Sequence, residues 1–220
     1  MKYDLHIHTK YSSDGVLEPA RIVTIAMKAG LRGIAVTDHN TIRGGLEAKN
    51  YETGNFKVIV GSEIKTDRGE ILGLFLSREV KPGDAEQVIF DIKDQGGIVI
   101  VPHPFDKMRH SAFRPEEGDA KFIDAIEVYN SRCLFQSYNE KAREFARRNN
   151  LPIVAGSDAH FANEIGNAGI ITELEDIREA VIKNNVKIFG KRTRPINHLG
   201  TKAFKIWQRW AGPANGKKGE

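Results

Sequence analysis

Short runs of apolar and β-branched residues alternate along the chain with longer stretches whose apolar positions recur every three or four residues. The first pattern fits strands buried on both faces and the second fits amphipathic helices laid over them, so their alternation predicts βα units around a parallel sheet. Strands are expected at 3–8, 33–37, 57–64, 70–76, 98–101, 125–130, 153–155 and 168–171, and helices at 19–29, 41–51, 84–95, 135–149 and 174–184. The punctuation agrees: Pro19 stands at a helix start, and Gly30, Gly54 and Gly96 follow helical stretches. No repeat of fixed period interrupts this order.

Length and composition change the picture little. A chain of 220 residues with 40% hydrophobic and 28% charged residues has the material for one larger domain with a real core. No run approaches the roughly 20 apolar residues of a membrane span, and the opening "MKYDLHIHT" passes straight into strand without an apolar leader segment. A cytoplasmic protein without a membrane partner is expected. Cys133 stands alone, so neither a disulfide framework nor a thiolate-only metal site can be built, and it is read as a small buried residue. Charge matters more. Residues 191–220 hold eight Lys/Arg against one Glu within a net charge of +4, so the basicity belongs to the tail and the rest is slightly acidic. The chain is therefore divided into a domain over 1–190 and a basic extension over 191–220, with one short helix and a disordered Gly/Lys end. From Leu199, the residues Ala203, Phe204, Trp207 and Trp210 follow helical spacing, with Lys202, Lys205 and Arg209 around the turn. This helix is expected to dock on the barrel; contact with RNA through its basic and aromatic residues is the alternative.

Chemistry collects where the strands run out. The first ends in His6 and His8, with Asp14 in the following loop; the second in Asp38 and His39; the third in Glu63; later ones in His103, and in Asp158 and His160. Five of the seven histidines thus lie at strand ends, while His110 and His198 lie off the pattern. In a parallel α/β barrel those ends converge on one face, and a strand alternates faces, so H-x-H presents two imidazoles to one ion. Each piece alone has a plain structural reading: "TDHN" as a helix cap, "PHP" as a rigid turn, Glu63 as a surface acid. Together they point to a metal centre, and mixed nitrogen and oxygen donors suit Mn²⁺, Zn²⁺ or Fe²⁺ better than Mg²⁺ or Ca²⁺. There is no G-x-x-x-x-G-K-[ST] loop and no G-x-G-x-x-G fingerprint, so P-loop nucleotide hydrolysis has no support.

The series "DLHIHTKYSSDG", "VTDHNT", "GSEI", "VPHPFD" and "GSDAH", in that order over about residues 3 to 172, resembles the motifs of the polymerase and histidinol phosphatase (PHP) family of metal-dependent phosphoesterases. That resemblance implies a distorted (β/α)7 TIM-like barrel with two or three divalent ions at the C-terminal rim. His6, His8, Glu63 and Asp158 would hold the first ion, Glu63 would bridge to a second held by His103, and Asp14, His39 and His160 would hold the third. Asp14 stands where many relatives have His, and Asn130, a poor ligand, stands where some supply another His to the second ion.

The expected activity is hydrolysis of phosphomonoesters of small metabolites or nucleotides by a metal-activated hydroxide, with Glu63 and Asp158 at the metals and Asp38 orienting a bound histidine or moving a proton. Lys107 and Arg109, just past His103, and Arg132, after the next strand end, are candidates for gripping the phosphate. An RNA or DNA exonuclease with the same centre is the alternative, and a catalytically silent binding domain is a third, disfavoured by the nearly complete ligand set.

Overall fold

The computed structural model describes residues 1–211. The elements in chain order are β1 (Lys2–Ile7), α1 (Pro19–Lys28), β2 (Gly33–Val36), α2 (Arg43–Lys49), β3 (Lys57–Thr66), β4 (Gly69–Leu74), α3 (Ala85–Asp94), β5 (Ile98–Val101), β6 (Ala125–Asn130), α4 (Gln136–Arg148), β7 (Ile153–Gly156), β8 (Ala168–Ile171), α5 (Ile177–Ile182), β9 (Lys187–Gly190) and α6 (Pro195–Ala211), with a 3₁₀ turn at Glu117–Phe122. Nine strands share one sheet in the order β7-β6-β5-β4-β3-β2-β1-β8-β9. The sheet then curls until β7 returns beside β1, where the His8 N–H donates to the Ala159 carbonyl at 2.9 Å and the Ala159 N–H to the His6 carbonyl at 3.4 Å. The result is a distorted barrel of the (β/α)7 TIM-like kind.

An entirely parallel sheet does not form. β1, β2 and β3 run parallel, as do β5, β6 and β7, but β4 is antiparallel to both its neighbours. The reason is local: only Asp67 and Arg68 separate β3 from β4, far too few residues for a crossover, so the chain must turn back as a hairpin. β8 likewise runs antiparallel to β1, and β9 antiparallel to β8 at the edge of the sheet. Strand β9, four half-buried or exposed residues, has no counterpart among the expected elements.

The core has a central part and an outer part. Leu5, Ala35, Ile59, Leu72, Ile100, Ala125 and Val154, one from each of β1 to β7, form a single buried cluster where the strands face one another. Outside, Ile22, Val23 and Ala26 of α1 pack on Ile34, Val36 and Val58, and Val88 and Ile92 of α3 join Val99 and Val101, with Ala142 and Phe145 of α4 in the same cluster. Burial of this order, at roughly 25 cal/mol per Å² of apolar surface, makes the barrel a rigid mount for the loops at its rim.

Helix α6 and the residues leading into it meet the barrel through polar groups. The Thr193 N–H bonds the Ser131 carbonyl at 2.9 Å, Asn197 and Asn163 exchange side-chain bonds at 3.2 and 3.3 Å, and Thr201 accepts from Arg132 at 2.8 Å. The expected aromatic stripe faces outward instead, with Trp207 57% and Trp210 88% exposed. Residues 212–220, where a disordered end was expected, lie outside the described residues, as do the side chains of Lys205 and Arg209. No helix among the described residues is long and apolar enough to cross a membrane.

Candidate metal centre

Ile7 fixes the direction of its neighbours. Its side chain packs under the helix layer with Ile22 and Val36, so His6 and His8, on either side of it, project the other way. Their Nε2 atoms come within 3.2 Å of each other. Glu63, on β3, faces both: its Oε2 lies 3.5 Å from His6, 3.4 Å from His8 and 3.2 Å from His39 Nδ1, while its Oε1 lies 2.8 Å from His103 Nε2. Asp158 Oδ1 is 3.3 Å from His8 and 3.8 Å from His6. Asp14 Oδ2 is 3.0 Å from His160 Nε2 and 3.4 Å from His39 Nε2. All eight expected ligands therefore share one buried pocket. Their donor atoms form overlapping groups: His8 with Asp14, His39 and His160; His6 with His8 and Asp158; and His6 with Glu63 and His103.

These spacings fit cations. Metal–nitrogen bonds of 2.0–2.1 Å in a tetrahedron place ligand atoms about 3.3 Å apart, close to the separations seen. Two buried atoms, Asp158 Oδ1 and His103 Nδ1, make no hydrogen bond, and a carboxylate oxygen left so in a dry pocket carries a cost unless a cation meets it. His103 and Asp158 also sit at positive φ, 32° and 55°, a conformation held by the surrounding structure at functional sites.

A fourth group brings in Glu70, a residue the strand-end reasoning passed over. Its carboxylate lies 3.7 Å from His39 Nδ1 and 3.9 Å from His103 Nε2. Because β4 turns straight back from β3, the start of β4 lies at the rim opposite Lys65, a position a parallel strand could not reach. Glu127 was also missed. From β6 it accepts from His6 Nδ1 at 3.0 Å, the His103 N–H at 2.8 Å and Asn130 Nδ2 at 2.9 Å, fixing which ring nitrogen of His6 faces the pocket. Asn130 donates to Glu127 and, at 3.3 Å, to Asp158, so it organises ligands where a histidine would have added one.

Asp38 stands apart from its expected role. Its carboxylate accepts the Thr9 N–H at 2.6 Å and the Thr9 hydroxyl at 2.7 Å, bonding no histidine, so it pins the loop that carries Asp14. The close approach depends on Gly44, where a Cβ would fall 2.0 Å from Asp38 Oδ2.

The electrostatics record the crowding. Burial opposes charge on His6, yet Glu127, Asp158 and Glu63 overcome it and hold its pKa well above the usual imidazole value. His39 is pushed up to about 9 against burial by Glu63, Asp14 and Glu70. His8, buried beside His160 and His39, falls to about 3. Burial and the neighbouring Glu63 raise Glu70, and burial lifts Asp38 to about 6. Without cations the pocket thus holds protons where ions would otherwise neutralise its carboxylates.

The candidate phosphate-gripping cations diverge. Arg109 lines the pocket mouth, but its guanidinium pairs with Asp158 at 2.5 Å and with Asp106 at 3.3 Å. Arg132 is buried against Glu164 at 3.1 Å. Glu164 in turn accepts the backbone N–H groups of His160 and Phe161 at 2.9 and 3.0 Å, so this pair braces the His160 loop. Lys107 is exposed and His110 lies outside the ligand groups.

A (β/α)7-like barrel that gathers imidazoles and carboxylates into one pocket at its rim defines the class: a metal-binding TIM-like barrel. Known proteins narrow it. A family model described as PHP-associated matches residues 136–186. One uncharacterized protein of Methanocaldococcus jannaschii is 44% identical, with 60% of this chain and 82% of that protein covered; a second is 34% identical, covering 77% and 70%. Among more partial matches, a 5'-3' exoribonuclease of Haemophilus influenzae is 44% identical over 30% of this chain and 24% of its own length, and a PolC-type DNA polymerase III of Clostridium perfringens is 34% identical over 43% and 7%. A Bifidobacterium adolescentis structure assigned as a metal-dependent phosphoesterase aligns with a TM-score of 0.64 at 19% identity, covering 84% of this chain and 96% of that one. The structure of PsfC from Pseudomonas syringae gives 0.65 at 15% identity, covering 93% and 97%. The chain belongs to the PHP, polymerase and histidinol phosphatase, family.

Proposed function

We propose that the protein is a metal-dependent phosphoesterase that hydrolyses phosphomonoesters of small metabolites or nucleotides. The observation that carries this reading is Glu63: its two oxygens face different histidines, so one carboxylate lies between adjacent ligand groups and would serve more than one ion. Two or three divalent ions of the Mn²⁺, Zn²⁺ or Fe²⁺ type suit this donor set. Such ions, when bound, lower the pKa of a water enough to supply a nucleophile at neutral pH and take up charge on the phosphoryl oxygens.

The protein's own groups set the stage for that chemistry. His6, His8, Glu63 and Asp158 would hold one ion, His103 and Glu70 would add ligands beside Glu63, and Asp14, His39 and His160 would hold another. Glu127 holds the His6 ring so that Nε2 presents its lone pair. Arg109 keeps Asp158 ionised and turned toward the pocket, with the remaining N–H groups of its guanidinium at the mouth to meet phosphate oxygens. Asp38 acts from further away, through Thr9. Elemental analysis followed by a phosphatase screen with each metal restored tests the proposal: phosphomonoester turnover that vanishes with chelator is expected, and metal-replete protein inert toward every monoester would overturn it.

A second reading, trimming of RNA ends, draws on the partial similarity to the Haemophilus exoribonuclease. The pocket at the mouth of the centre is about 230 Å³, below the roughly 300 Å³ at which ordinary small-ligand sites begin. That size favours a small monoester or one terminal nucleotide over a seated polymer. Rates on a nucleotide panel against labelled oligonucleotides separate the two.

A further inference from the structure

We propose that helix α6 is a wall of the substrate pocket, with His198 and Lys202 binding the part of a small phosphomonoester beyond its scissile phosphate, and with the ammonium group of Lys202 selecting substrates that carry a second anionic group there. This rests on the phosphoesterase reading of the metal centre.

The pocket has two sides. Asp14 and His160 of the ligand cluster line it together with Arg109, and His198, Thr201 and Lys202 of α6 line it as well. The helix is fixed in that place by buried groups. Arg132 bonds Thr201 with one nitrogen and Glu164 with another, and Glu164 holds the backbone of His160. One chain of buried hydrogen bonds therefore runs from the metal pocket to α6, and the Asn163–Asn197 pair adds a second tie to the same loop.

Charge identifies the group left to meet a second anion, beyond the phosphate that Arg109 faces. Three cationic side chains line the pocket. Arg109 is engaged with Asp158 and Asp106, and Arg132 with Glu164 and Thr201. Lys202 is exposed and pairs with no carboxylate among the described residues. An ammonium on a flexible stem, opposite a centre that takes the phosphoryl group, suits a carboxylate or second phosphate at the other end of a short molecule. His198 adds hydrogen bonding without charge, since burial and the nearby Arg132 and Arg109 lower its pKa to about 4. The outward-facing Trp207 and Trp210 play no part in this pocket.

The test uses the full-length metal-loaded protein and two substrates of matched size, glycerol 1-phosphate and 3-phosphoglycerate, which differ by a carboxylate. Lys202→Ala should raise KM for 3-phosphoglycerate about tenfold, the worth of one charge-assisted contact, with KM for glycerol 1-phosphate and both kcat values within about twofold. Lys202→Arg should restore most of the preference, and His198→Gln should raise KM for both substrates. Equal effects of Lys202→Ala on the two KM values, or none, would overturn the proposal. Should the wild type hydrolyse neither compound, the phosphatase screen decides the phosphoesterase reading separately, and calorimetric binding of 3-phosphoglycerate decides the pocket: weaker binding to Lys202→Ala than to wild type supports it, and equal or absent binding sinks it.

Discussion

Each oxygen of Glu63 faces a different set of imidazoles, and His39 and His6 hold protons at pH 7 because carboxylates surround them. A cation needs the neutral imidazole, so binding must expel those protons. Metal addition at pH 7 should therefore release protons, read by calorimetry in buffers of different ionisation enthalpy, and affinity should climb as pH rises from 7 toward 9. Enthalpies that do not vary with buffer would show that these histidines are neutral or unused. Glu70 gives a second residue-scale prediction. Its pKa is raised, so it binds a proton more tightly folded than unfolded, and in the metal-free protein its ionisation destabilises the fold as pH rises past its unfolded value. Glu70→Gln should melt higher than wild type without metal and retain less metal after dialysis; lower melting and unchanged metal would place the carboxylate outside the centre. The eight expected ligands were legible because they end strands in a recurring pattern. Glu70, Glu127 and Glu164 were not, since a glutamate opening or sitting within a strand or loop reads as surface until burial is known. Asp158, which engages Arg109, and Glu164, which engages Arg132, lie 49 and 32 residues from them, beyond any local signal.

Among the elements, β7 lies so close to β1 that a Cβ on Gly156 would fall 2.3 Å from the Cβ of His6 and 2.8 Å from Glu127 Oε1. Gly156→Ala should thus destabilise the protein by about 1–3 kcal/mol, the usual cost of overpacking, and loosen metal binding with it. An unperturbed melt and full metal content would mean that the strands separate freely there. Helix α6 offers a pH test. The depressed pKa of His198 means that the unfolded chain takes up its proton first, so stability is lost as pH falls from about 6.5 to about 4. His198→Gln should flatten the melting-temperature profile over that window relative to wild type; parallel profiles would contradict the burial. Most elements could be read from periodicity, since long amphipathic helices and β-branched runs carry strong signals. The direction of β4 was implicit in the short gap before it, five residues as read from the sequence and two in the fold. What periodicity could not show was which face of α6 docks: the stripe of Leu199, Trp207 and Trp210 has helical spacing, yet Asn197 and Thr201 make the contact because Asn163 and the buried Arg132 meet them.

For the molecule as a whole, one curled sheet brings side chains as distant in sequence as His6 and Asp158 within 3.8 Å, and the price is a crowd of buried carboxylates and imidazoles at the barrel rim. Cations that bind the folded state alone should offset it, adding about 2.7 kcal/mol at a hundredfold excess over Kd. Chelation should lower the melting temperature reversibly. Barrel class and rim chemistry were both legible beforehand because topology, not local sequence, converts separated motifs into one site. The most direct measurement is the metal content of purified protein by elemental analysis, on wild type, His103→Asn and His160→Asn, with phosphomonoester hydrolysis assayed on the same samples. Two or three divalent ions per chain in wild type, fewer in each variant, and activity that follows the metal are the predicted result. Wild-type protein that retains no divalent ion when supplied with Mn²⁺ or Zn²⁺ would contradict the account.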